Sequence, residues 1–146
     1  MANPRNIIDS TDIGIRRRTY IADGSTIVYD STKARGAATT MLDKAVSLST
    51  DDTIQLASDA ERVIGKLLLV EADGKCTVQI GGHATFPAGD GATLTLGKAI
   101  VGALGAASAK GYIREVNTAA AAELGKSRGA TINNNDTAAV VVDLDQ

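Results

Sequence analysis

The sequence predicts a mainly β domain: a small sandwich or barrel-like body with one short helix, preceded by an extended N-terminal arm. Three observations carry this reading. From about residue 53 the apolar residues come in short stretches cut by turn formers, Lys75 to Ile80 alternates with a period of two, and a single stretch, Thr118 to Leu124, reads as helix. Period two places successive side chains on opposite faces of a strand, whereas a helix repeats every 3.6 residues.

The arm is assigned to residues 1–35, with its boundary anywhere between 20 and 50. It is poor in large apolar residues and holds six basic and four acidic groups, against nine basic and thirteen acidic in residues 36–146. A functionless tail is the competing reading of the same composition, and the Arg16-Arg17-Arg18 triplet reads either as a contact for an acidic partner or as a solvated face. The body, 36–146, begins with a strand-like stretch from Ala45 to Leu48, followed by the alternating Thr53-Ile54-Gln55-Leu56. Arg62 to Glu71 is almost continuously apolar, as expected of a strand covered on both faces. Asp73-Gly74 then marks a hairpin, because glycine accepts positive φ without steric cost. In Lys75 to Ile80 the residues Cys76, Val78 and Ile80 share one face, and Gly81-Gly82 breaks the strand.

Further strands are expected over His83 to Phe86, Ala92 to Leu96 and Tyr112 to Val116, with a break at Pro87 to Gly91. Gly97 to Gly111 has no assignable period. The expected helix is capped by Thr118, favoured by four alanines and ended by Gly125. Gly129 to Ile132 and Thr137 to Leu144 flank a polar turn, Asn133 to Asp136.

Composition narrows the function classes. The 146 residues suit one domain, but aromatics are only 3 %, with no Trp and Phe86 as the sole Phe. The core must therefore rest on aliphatic side chains, each of the larger ones contributing about 1.5–3 kcal/mol when buried. The longest uncharged apolar run, Ala99 to Ala109, is too short and too interrupted by Gly102, Gly105 and Ser108 for a membrane span. A single cysteine, Cys76, excludes an intramolecular disulfide framework and suits a reducing compartment. The first residues lack the basic-then-apolar layout of a secretory signal, and the net charge of −2 lacks the basic footprint of a nucleic-acid binder. Synthesis in the cytoplasm is expected, with neither membrane nor direct nucleic-acid contact.

Candidate chemistry is sparse. His83 is the only histidine, Cys76 is expected to face inward as a small hydrophobe, and no His/Cys cluster or calcium-loop spacing is present. Gly89-Asp90-Gly91 and Gly97 to Gly102 lack the lysine-hydroxyl ending of a phosphate loop. Asp43-Lys44-Ala45 shares three residues with the swinging-arm turn of lipoyl and biotinyl carriers. The expectation is a protein without catalysis, cofactor or metal, whose product is a surface.

The order of parts in the body resembles the tailed-phage head decoration proteins, also called capsid cement proteins. The matching features are the strand Thr53 to Ala57, Val63-Ile64-Gly65 with Leu67-Leu68, the Ala72-Asp73-Gly74 turn and Cys76 to Gly82. Pro87, Gly89, Gly91, Leu94, Leu96, the Gly/Ala run, Tyr112-Ile113-Arg114 and the terminal Ala139 to Val142 complete them, so the resemblance runs from Asp51 to Leu144. It implies a structural virion protein on the outer capsid surface, a homotrimer at three-fold and local three-fold positions that stabilises the shell by bridging subunits of the major capsid protein. It also implies an N-terminal arm in contact with that protein, and the charge and position of Ile13, Ile15, Arg16, Arg17, Arg18 and Tyr20 make them the candidate contacts. Such an arm could add a strand to an exposed sheet edge of the shell protein. A tail or fibre accessory module and a ligand or carrier β domain are the alternatives.

Overall fold

The computed structural model describes residues 14–146 and is mainly β. Five strands close a barrel in the order β1-β3-β2-β4-β5: β1 (Arg16–Ala22), β2 (Ala45–Thr50), β3 (Thr53–Leu56), β4 (Gly65–Val70) and β5 (Lys75–Gly81). A second half follows, with a three-stranded sheet and a two-stranded ribbon. The sheet has the order β6-β10-β9, from β6 (His83–Phe86), β9 (Ala130–Asn133) and β10 (Val140–Asp143). The ribbon pairs β7 (Ile100–Ala103) with β8 (Tyr112–Glu115), and a one-turn helix α1 (Ala121–Leu124) follows it.

The expected arm is corrected here. Residues 16–22 are a barrel strand, antiparallel to β5 from Arg16 to Ile21 and parallel to β3 at Ile21 and Ala22. A parallel pair needs a long connection; here residues 23–44 cross from β1 to β2, which turns back into β3 beside β1. That connection is anchored by Asp23, whose carboxylate accepts the amides of Ser25, Thr26 and Ile27 and the hydroxyls of Ser25 and Thr26. Burial pushes its pKa upward, but these hydrogen bonds outweigh it and hold the carboxyl below its ordinary value. Thr26 Oγ1 in turn accepts the Leu56 amide at 2.9 Å, and Ile27 is driven fully into the barrel. The described part of the body therefore already includes β1, and residues 1–13, with the candidate contact Ile13, lie outside the described residues.

The barrel interior is aliphatic, with Ile27, Val46, Ile54, Leu67, Val70 and Val78 buried around Tyr20 and Cys76. The second core gathers Phe86, Ile100, Ile113, Val140, Val142 and Leu144. Arg128 ties the two halves. Its guanidinium donates to Ile64 O and Ile80 O at 2.5 Å each, on the barrel side, and to Leu144 O at 3.3 Å after β10.

Most expected strands lie where the pattern puts them, and the exceptions have local causes. In β4 the near-continuous apolar run is not covered on both faces: a register shift between Leu67 and Leu69 turns Leu67 and Val70 inward and leaves Leu68 and Leu69 half-buried. Ala92 to Leu96 is not a strand. Positive φ at Gly91 and Gly97 bends both ends away, and its polar groups go to other partners, Thr95 N to Glu115 Oε2 and Leu94 O to Asn134 Nδ2. Thr118 does not cap the helix, because Asn117 Oδ1 accepts the Ala119 amide and holds 117–120 as a turn, leaving one helical turn that ends at Gly125. The unassigned Gly97 to Gly111 stretch contains β7, whose outer edge is covered by the exchange of Ala60 N to Gly102 O and Gly102 N to Glu61 O.

Candidate interaction surface at the barrel mouth

The arginine triplet stands on β1 at an open end of the barrel. Alternation gives Arg16, Arg18 and Tyr20 one face and Arg17, Thr19 and Ile21 the other. Tyr20 reaches the core, whereas Arg16 to Thr19 and Ile21 are exposed. Arg18 covers that end: its guanidinium lies 5.2 Å from the Tyr20 ring centroid and 3.5 Å from Asp52 Oδ1. Each of these exposed contacts contributes on the order of 0–1 kcal/mol, so Arg18 is positioned without being locked. Arg16 pairs with Asp145, whose second oxygen accepts the Gly82 amide at 2.9 Å. Arg17 has no ion-pair partner among the described residues. Pairing of β1 with β3 is confined to Ile21 and Ala22, so among the described residues the edge from Arg17 to Thr19 carries no ladder on that side.

Two shallow grooves meet here. One, of about 640 Å³, is lined by Arg18, Tyr20, Leu48 and Ser49 to Asp52. The other, of about 250 Å³, is lined by Ser47, Leu48, Glu61, Arg62, Ile64 and Lys126. Leu48 is their shared wall and is 53 % exposed, although its alternation with the buried Val46 aims it at the core. Its direct partner on β3, Ile54, is nevertheless fully buried, so Leu48 is the outermost large apolar side chain of β2. Glu61 lines the second groove, but its carboxylate is tied to Ser47 Oγ at 2.5 Å, Gln55 Nε2 at 3.1 Å and the Ser58 amide at 2.9 Å. Sequence reasoning missed Leu48, Arg62 and Lys126. Nothing in a single strand's pattern marks where the barrel stops, and Arg62 and Lys126 are 64 residues apart.

The other candidate residues are dispersed. Cys76 is buried within the barrel, where burial, aided by Asp23 and Glu71, pushes its thiol up to about 11. Lys44 does not stand at a hairpin tip: its stem packs on Gly111 and its ammonium lies 4.2 Å from the Tyr112 ring centroid. His83 is the exposed first residue of β6. Among the described residues no three His, Cys, Asp or Glu side chains are placed to hold a metal ion, and no helix is long and apolar enough to cross a membrane. Compared with protein-family models, with curated proteins and with solved structures, the chain has no match.

Proposed function

We propose that the protein is a structural head-decoration protein that binds the outer surface of a tailed-phage capsid as a trimer and stabilises it by bridging major capsid subunits. The observation that carries this reading is the barrel-mouth surface: three adjacent arginines and the exposed Leu48, held on strands of a closed barrel, offer charge and apolar area without reactive chemistry. Because Arg16 to Ile21 is paired with β5 throughout, it meets a neighbour through side chains and through the outer edge of Arg17 to Thr19, where an extended segment of the shell protein can add as a strand. Closed three-fold symmetry repeats the patch three times at a matching position on the shell. Each later contact is then effectively intramolecular, and weak single contacts become firm attachment.

Co-sedimentation of the purified protein with mature and immature capsids tests the reading. Attachment is expected for the native chain, and Arg17→Glu with Arg18→Glu weakens it while leaving the circular dichroism unchanged. Absence of the native chain from every shell pellet overturns it, and electron microscopy of labelled particles distinguishes a head site from the tail or fibre alternative.

A further inference from the structure

We propose that the groove lined by Ser47, Leu48, Glu61, Arg62, Ile64 and Lys126 docks an extended segment of another protein in which aliphatic residues alternate with aspartate or glutamate. The segment hydrogen-bonds the free edge of β2 at Leu48. It lays its aliphatic side chains on Leu48 and Ile64 and turns its carboxylates to Arg62 and Lys126. The proposal concerns the chemistry that this groove takes and stands whether or not the partner is a capsid.

The backbone supplies the first reason. Val46 O accepts the Ile64 amide at 2.8 Å, and the pairing of β2 with β4 ends at Val46. Backbone groups along a strand point to alternate sides, so the Leu48 amide and carbonyl face the side that those of Val46 face. The β3 partner of Leu48, Ile54, is turned away, its carbonyl accepting the Asp23 amide at 3.0 Å. Among the described residues nothing bonds the Leu48 amide or carbonyl on the groove side, so β2 keeps one donor and one acceptor open there. Main-chain bonds to such an edge give affinity for an extended segment, and the neighbouring side chains select which segment.

Those side chains are apolar below and cationic at the rim. Leu48 is 53 % exposed, and Ile64 closes the wall of a groove of about 250 Å³. Arg62 and Lys126 are exposed and form no ion pair among the described residues. Arg128, which donates to Ile64 O from behind, forms none either. These three cations outnumber the one carboxylate of the lining, Glu61, whose oxygens are engaged by Ser47, Gln55 and Ser58. The groove therefore favours an acidic aliphatic strand and repels a basic one.

Synthetic peptides titrated into the full ¹⁵N-labelled chain test this. The probes are acetyl-Thr-Val-Asp-Val-Asp-Val-Thr-amide, its twin with lysine in place of aspartate, and the acidic peptide N-methylated at its central residues. The acidic peptide is expected to shift the Leu48 amide resonance and to bind about tenfold more tightly than its lysine twin, as befits two exposed ion pairs. Arg62→Glu/Lys126→Glu is expected to reverse that order, and N-methylation to weaken binding roughly tenfold through the lost main-chain bonds. No response to the acidic peptide at millimolar concentration, shifts that avoid Leu48, an order unchanged in the double variant, or full binding of the N-methylated peptide overturns the proposal. Leu48 shifts that arise on concentrating the protein alone assign the groove to a second copy and overturn it as well. Because no shell is present, failure here is distinct from failure of capsid attachment.

Discussion

At the scale of single residues, the side chain that joins the two halves of the molecule is a base rather than an apolar anchor. Arg128 satisfies three carbonyls that belong to three separate segments, and its fork geometry is what allows one group to do so. Arg128→Ala removes the guanidinium donor from all three carbonyls, and a loss of roughly 4 kcal/mol or more is expected in urea titration, since each charge-assisted bond contributes roughly 1.5–3 kcal/mol. Arg128→Lys recovers only part of this, because a lysine cannot serve three diverging acceptors from a planar fork. Cys76 gives a second test at the same scale. Its thiol is buried and its pKa is about 11, so the thiolate that reacts is scarce and inaccessible. Labelling with a disulfide reagent at pH 8 is expected to proceed only after denaturant is added; prompt labelling of the native chain contradicts this placement.

At the scale of elements, the short helix α1 is held by charge. Arg114 on β8 reaches Glu123 Oε1 at 2.8 Å and Asp59 Oδ1 at 2.8 Å, so helix, ribbon and the 58–61 turn share one guanidinium. The Arg114 hydrogen bond, with a second from the Asn117 amide, lowers the Glu123 pKa to about 2. A carboxyl whose pKa is depressed on folding stabilises the native state fully above its unfolded value, and the contribution fades as pH falls from about 4.5 toward 2. Glu123→Gln should therefore lower Tm at pH 7 and show a smaller difference from the native chain at pH 3. A difference that stays constant with pH sinks this account. The crossover 23–44 fails by a different route: at Gly36, φ is +74° and an added Cβ would lie 1.7 Å from Val70 O. Gly36→Ala must move the crossover off β4, and roughly 1–3 kcal/mol of strain is expected to appear in the same urea titration. These elements also show what was legible in the sequence. Period two places Cys76 and Val78 in the barrel core, but the alternation expected to run on to Ile80 breaks at Gln79, which is buried with its amide donating to Gly81 O and His83 O while Ile80 is half-buried. Arg16 to Tyr20 reads as part of the 1–35 arm because, of the residues on its inward face, only Tyr20 carries a large apolar side chain. Ala92 to Leu96 has a strand's pattern without a strand's neighbour, and pairing is a property of distant segments that no local window contains. The arginines of β1 are visible as a triplet, whereas Leu48, Arg62 and Lys126 come to line one groove only through packing of the second half against the barrel.

At the scale of the whole molecule, two small aliphatic cores and a near-absence of aromatics leave large apolar side chains outside. Leu96 and Ile132 are 57 % and 42 % exposed, and they are neighbours, since Gly97 N donates to Thr131 O and Thr131 N to Lys98 O. This pair lies in the second half of the chain, beside β9, whereas the arginine triplet is on β1 of the barrel. Contact between copies through this pair would leave the arginines of β1 free for a shell, as the proposed bridging trimer requires. Sedimentation equilibrium is expected to show association toward three copies with rising concentration, and Leu96→Glu with Ile132→Glu is expected to shift the chain to monomer without altering its circular dichroism. The same double variant should also lose attachment to shells although its arginines are intact, because three tethered contacts become one. A chain that remains monomeric at every concentration and on shells removes the trimer. A double variant that stays trimeric places the contact between copies elsewhere on the surface.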